Sequence, residues 1–156
     1  MEELIKKAEE KGINVEDLII LALSKLDPNE GVKIRLELAE KYLSEAKDYL
    51  SKGDAIQASE KAYKTAEEIV KALAEKFNLP EYQQAIKEGR WYTYNLGHAA
   101  AKLSLKLGDW VKAGWNSAYV LHVWGFHEAK FDLDTVKIMI SDIERMIREA
   151  RKVILS

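Results

Sequence analysis

Apolar positions recur at three- and four-residue spacing along most of the chain, and that period predicts helices. Leu36, Ala39, Leu43, Ala46 and Leu50 define one stripe, and Ser59, Ala62, Ala66, Ile69, Leu73 and Phe77 a second. A helix over 54–77 would be roughly 36 Å long. A third stripe runs through Leu133, Val136, Ile140, Ile143, Ile147, Ala150 and Ile154 with the most regular spacing of all. β-branched residues never cluster in alternation, so no strand is expected. Near the N-terminus, Leu18 to Leu23 are apolar without a gap. A short helix that is apolar all round cannot stand alone in water, so it must dock on the body of the protein or on a second subunit.

The breaks between these stripes are as informative as the stripes. Gly53-Asp54 and Gly108-Asp109 each separate two helical patterns, and the residues around them half-repeat. Glycine closes a helix in the left-handed conformation, and aspartate accepts the free N–H groups that open the next. Helices joined so tightly run antiparallel. Gly12 ends a first short helix over 2–11, Asn14 caps a second, and Asp27-Pro28-Asn29-Glu30-Gly31 reads as a linker. Asn78-Leu79-Pro80 marks another break, and Gly89 interrupts or kinks the segment 81–107. A further helix follows from 109 to near Lys130, and Asp132 or Asp134 caps the last one. The fold class is therefore all-α. It is read as an up-and-down antiparallel bundle of about five helices over 32–156 with a two-helix N-terminal arm over 1–27.

Composition narrows the function classes. At 156 residues the chain can build one substantial core. Its net charge of −2 gives no global attraction to nucleic acid or membrane, although a local patch could still bind either. The absence of cysteine removes disulfides, thiolate metal sites and a cysteine nucleophile. Few prolines and abundant Lys and Glu fit a heat-adapted protein. The start, Met1-Glu2-Glu3, does not resemble a signal peptide, and the apolar run is far too short for a bilayer. A soluble, cytoplasmic protein is expected.

Candidate chemistry concentrates between 90 and 131, where all four tryptophans and all three histidines lie. Trp91, Tyr94, His98 and Leu105 share one side of a helix taken to begin at 90. On the next helix Trp115, Tyr119, His122 and Phe126 form one stripe, and Val120, Trp124, His127 and Phe131 another. A helix aromatic on two sides is either the centre of the bundle or part of an interface or pocket, where residues with an apolar body and a polar tip are favoured. No metal site is expected, because residues five apart on an α-helix, as His122 and His127 are, point about 140° away from each other. His122 reads as a core histidine bonded to tyrosine or backbone. There is no nucleophile-elbow or phosphate-loop motif, and no cofactor is expected. Glu67-Glu68 reads as solvated surface, as does the stripe of Arg145, Arg148 and Lys152. Arg90 lies two turns before His98, with Tyr94 between. An arginine can hold a phosphate while a histidine moves a proton, which is the minimal equipment for cleaving RNA through its 2′-hydroxyl.

The stretch Leu36 to Phe77, with its Lys-Gly-Asp turn and the following Ala-Ser-Glu-Lys-Ala-Tyr-Lys-Thr-Ala-Glu-Glu, resembles a HEPN domain. More narrowly, EKGINVEDLIILALSKLDP, KGDAIQASEKAYKTAEE and LHVWGFHEAKF are similar to the archaeal PaREP family of HEPN-like proteins. The resemblance implies a helical bundle that is commonly dimeric. It also implies that active members are RNases with an arginine and a histidine at the dimer interface. Here the candidates are Arg90 and His98, with a wider interval than the family uses.

The function expected is a dimeric module binding nucleotide, RNA or protein without strong catalysis. Its ligand or interface residues would be Arg90, Tyr94, His98, Trp115, Tyr119, His122, Trp124 and His127. A metal-independent ribonuclease using Arg90 and His98 is the alternative. A tetratricopeptide-like peptide-binding module is a third, although that repeat recurs every 34 or so residues and the two Gly-Asp pairs here are farther apart.

Overall fold

The computed structural model describes residues 1–156. The chain forms α1 (Glu2–Glu10), α2 (Val15–Leu26), α3 (Pro28–Ser51), α4 (Ala55–Lys76), α5 (Pro80–Glu88), α6 (Thr93–Leu107), α7 (Asp109–Val120), a π-helical segment (Leu121–His127) and α8 (Leu133–Leu155). No strand is present. Outside the arm there are six α-helices where about five were expected, because Gly89 divides 81–107 into α5 and α6. Gly89 adopts φ +74°, a left-handed cap that most residues avoid.

Caps set most of the boundaries. Asn14, Asp27, Asp54 and Asp132 each accept a backbone N–H of the first turn that follows, from Asp17, Asn29, Gln57 and Thr135. The expected linker 27–31 is thus mostly helix: Asp27 is the cap and Pro28 the first residue of α3. The two Gly-Asp junctions also differ. Asp54 caps α4, whereas Asp109 is already the first residue of α7, which begins without a side-chain cap. There the Trp110 indole folds back and donates to the Leu107 carbonyl at 3.2 Å, closing α6 instead.

The core is organised around α4, which touches α3, α5, α6, α7, the π-helix and α8. Its alanines 58, 62, 66, 72 and 74 are wholly buried, and small side chains let neighbouring backbones approach from every side. The aromatic helix was one candidate for the centre of the bundle, but α4 holds that place. A helix surrounded in this way also excludes a stack of hairpins, so the solenoid alternative fails. The predicted stripes of α3, α4 and α8 face inward, with Ile69, Leu73, Ile140 and Ile143 inaccessible to solvent. The arm is less integrated. α1 buries no residue. α2 buries Ile20 and Leu21 and leaves Leu18, Ile19, Leu23 and Leu26 exposed. No helix is long and apolar enough to cross a membrane.

Candidate functional site

Three neighbouring features on and around α4 bring the chemistry-bearing residues together. The first is the π-helix that continues α7. Its register closes with the Glu128 N–H donating to the Val123 carbonyl, five residues back. A Cβ on Gly125 would stand 2.7 Å from Ser59 Cβ on α4 and nearer still to its hydroxyl, so only glycine permits this approach. Five-residue bonding stacks residues five apart nearly above one another. His122 and His127, expected to diverge, therefore meet with their Nε2 atoms 3.1 Å apart. His122 Nδ1 lies 2.8 Å from Glu60 Oε1 on α4. The His122 ring also stacks on Tyr63, with 4.0 Å between centroids, and on Phe126 at 6.2 Å. His122 is half-buried, and its partners are a carboxylate and rings, rather than the tyrosine hydroxyl or backbone expected.

The second feature lies farther along the same helix. Glu60, Tyr63, Glu67 and Lys71 follow one another at three- and four-residue spacing and share a side of α4. Lys71 belongs to a buried ionic cluster. Arg35 Nη1 donates to Asp17 Oδ1 and Glu68 Oε1, each at 2.8 Å, and Lys71 Nζ reaches Asp17 Oδ2 at 2.8 Å and Glu68 Oε2 at 3.4 Å. Burial opposes ionisation of Asp17, but Lys71 and Arg35 outweigh it and hold the carboxyl below its usual range. Two cations and two carboxylates balance, leaving Glu67 as the additional acid. Burial pushes the Glu67 carboxyl up to about 7, with Lys71 opposing the shift. Glu67 and Asp17 line two adjoining clefts beneath the arm, of about 550 and 430 Å³.

Of Glu67-Glu68, expected on a solvated face, Glu68 is buried and Glu67 is half-buried in the walls of the clefts. The sequence pattern does not point to Asp17, Arg35 and Lys71 as partners of Glu68. The available signal was the alanine-rich surround of α4, which leaves that helix no fully solvated side.

The third feature is the turn between α5 and α6. Arg90 lies in the turn and not on the helix that carries His98. Its guanidinium sits over the Tyr92 ring at 4.4 Å. Tyr92 stacks on Tyr94 at 5.7 Å, and Tyr94 meets His98 edge-on at 5.9 Å. Arg90 and His98 thus belong to one exposed ladder, joined through two tyrosines and not to each other. Trp91 departs from the stripe expected for it: it is buried, and its indole N–H has no partner. The Arg90 side of the turn also lines the smaller cleft.

The remaining candidates separate by depth. Trp115 is buried and tilts against Tyr63 at 5.9 Å, with Tyr119 beyond it at 6.3 Å. Tyr119 and Trp124 are exposed. His127, placed on the Trp124 stripe by α-helical counting, joins the His122 side instead.

No functionally curated protein matches the chain. The crystal structure of a protein from Sulfolobus solfataricus is similar, with 41% sequence identity and a TM-score of 0.68, over 76% of this chain and 96% of that one. The solution structure of the same structural-genomics target, described as the Orf c02003 protein, agrees at 41% identity and a TM-score of 0.64, over 73% and 88% of the two chains. Residues 34–147 match the archaeal PaREP1/PaREP8 family, a span that begins within α3 and ends within α8. With that span and that identity to a solved relative, the chain belongs to the archaeal PaREP1/PaREP8 family.

Proposed function

We propose that this protein is a dimeric, HEPN-like helical module that binds single-stranded RNA or nucleotide along the outer side of α6, without strong catalytic activity. The observation that carries the reading is the Arg90–Tyr92–Tyr94–His98 ladder. Tyr94 is 57% exposed, and the ladder offers successive π faces with a guanidinium at one end. Bases stack on such faces whatever their identity, at about 1–3 kcal/mol each. His98, Lys102 and Lys106 continue the same helix side at four-residue intervals, with Lys102 paired to Glu81 at 2.7 Å and Lys106 over the Phe77 ring, so a phosphate there would have to compete with those partners. The arm over 1–27 would be an accessory unit attached to a bundle over 32–156, since the family match begins after it.

The test is fluorescence anisotropy of a labelled single-stranded RNA at low and moderate salt. Tyr94→Ala should weaken binding about 5- to 100-fold, in line with the loss of one stacked base, while leaving thermal unfolding unchanged. Equal affinity for parent and variant would remove the ladder from recognition. The ribonuclease alternative has less support, because the Arg90 guanidinium is engaged by Tyr92. It requires that His98→Ala abolish RNA cleavage.

A further inference from the structure

We propose that His122 and His127 form a two-imidazole site for a borderline divalent transition metal, Cu²⁺ or Ni²⁺ foremost, with Glu60 orienting the first ring. The two Nε2 atoms are 3.1 Å apart. Nitrogens about 2.0–2.1 Å from one ion at that separation subtend an angle near 100°. This falls between the right angle of a tetragonal Cu²⁺ or Ni²⁺ centre and the tetrahedral angle of Zn²⁺. The ring centroids are only 4.4 Å apart with planes at 80°, too close for the two nitrogens to meet end-on. The pair is a bent contact with both nitrogens turned to the same side.

The surroundings supply what such a ligand pair needs. Glu60 Oε1 holds His122 Nδ1 at 2.8 Å, so the tautomer that donates to the carboxylate leaves Nε2 as an acceptor, which a metal would take over from the His127 contact. Stacking on Tyr63 and Phe126 fixes the plane of that ring. His127 is exposed, so an ion can enter from solvent. No third His, Cys, Asp or Glu completes a protein-only coordination set. The remaining positions are therefore open to water or to a ligand atom. The site exists because of the π-helical register and does not depend on the RNA-binding reading, whose residues lie on α6 and the turn before it.

The test is calorimetric titration of the full-length, tag-free protein with Cu²⁺ and with Ni²⁺, together with electron paramagnetic resonance of the Cu²⁺ form. We expect one ion per chain and nitrogen hyperfine structure from two imidazoles. His127→Ala, at an exposed position that leaves the core intact, should weaken binding at least tenfold. Glu60→Gln should weaken it about 10- to 100-fold, as loss of an outer-shell partner does. His98→Ala should leave binding unchanged. Undiminished binding by His127→Ala, or no saturable binding by the parent, would overturn the proposal and leave the pair as a histidine–histidine hydrogen bond. His122→Ala is a less secure variant, because this ring also packs on Tyr63.

Discussion

Glu67 sits one helical turn from a cluster whose charges already balance, and its environment therefore favours the neutral acid. Its folded-state value near 7 exceeds the ordinary 4.5. The folded protein consequently binds this proton more tightly than the unfolded chain does. The associated stability is fully present below pH 4.5 and is lost as the pH rises through about 7. Glu67→Gln should remove that loss and stabilise the protein at pH 8 by about 2 kcal/mol, with little effect at pH 4.5. Urea denaturation of parent and variant at the two values checks it. Arg35 makes the opposite case. It is 1% exposed and bonds two buried carboxylates, so Arg35→Ala leaves Lys71 as the single cation facing both. The expected loss is about 3–5 kcal/mol, read from the same unfolding curves. The cluster joins α2 to α3 and α4, so it pins the arm as well as stabilising the interior.

At the scale of the element, the π-helix decides where side chains point between 121 and 127. Gly125 lets this segment lie against Ser59. Gly125→Ala should force the two backbones apart at a cost of about 1–3 kcal/mol. It should also separate His122 from His127. Loss of the His127–His122 contact in side-chain NMR, together with a lowered unfolding midpoint, is the expected result. Unchanged contact would mean that the register does not depend on this close approach. α-Helical counting fails here for a definite reason: residues five apart diverge under four-residue bonding and converge under five-residue bonding. Helix starts were far more readable, because Asn14, Asp54 and Asp132 act locally on the N–H groups beside them. Asp54→Ala should cost about 1 kcal/mol. The apparent twin at Asp109 should cost less on substitution, since it accepts no capping bond; thermal melts of the two variants make the comparison.

For the whole molecule, the apolar surface left uncovered is the outer side of α2. Leu18, Ile19, Leu23 and Leu26 remain exposed after Ile20 and Leu21 have docked on the body. An apolar surface of this kind is where a dimer of the proposed module would find contact area. Sedimentation velocity should show a dimer for the parent. Ile19→Glu with Leu26→Glu should give a monomer with unchanged circular dichroism. A monomeric parent would count against the dimeric reading. The centre of the bundle was harder to place from sequence than the helices themselves. Aromatic richness drew attention to 109–131, yet the helix that every neighbour of the bundle touches is α4, rich in alanine. Small side chains at the crowded axis let the neighbouring helices approach, and the large side chains of those neighbours, Trp110 and Trp115 among them, fill the space around it.

The all-helical class, the inward-facing stripes of α3, α4 and α8, most caps and the family are legible along the chain. Each of these rests on a local period, a capping side chain or a run of matching residues. The sequence also drew attention to the histidine-rich segment and to Arg90. Packing in three dimensions was needed to place Glu68 inside, to bring Asp17, Arg35 and Lys71 together across three helices, and to turn His122 and His127 toward each other. Those outcomes depend on which helix stands at the centre and on one local change of hydrogen-bond register. Neither leaves a periodic trace along the chain.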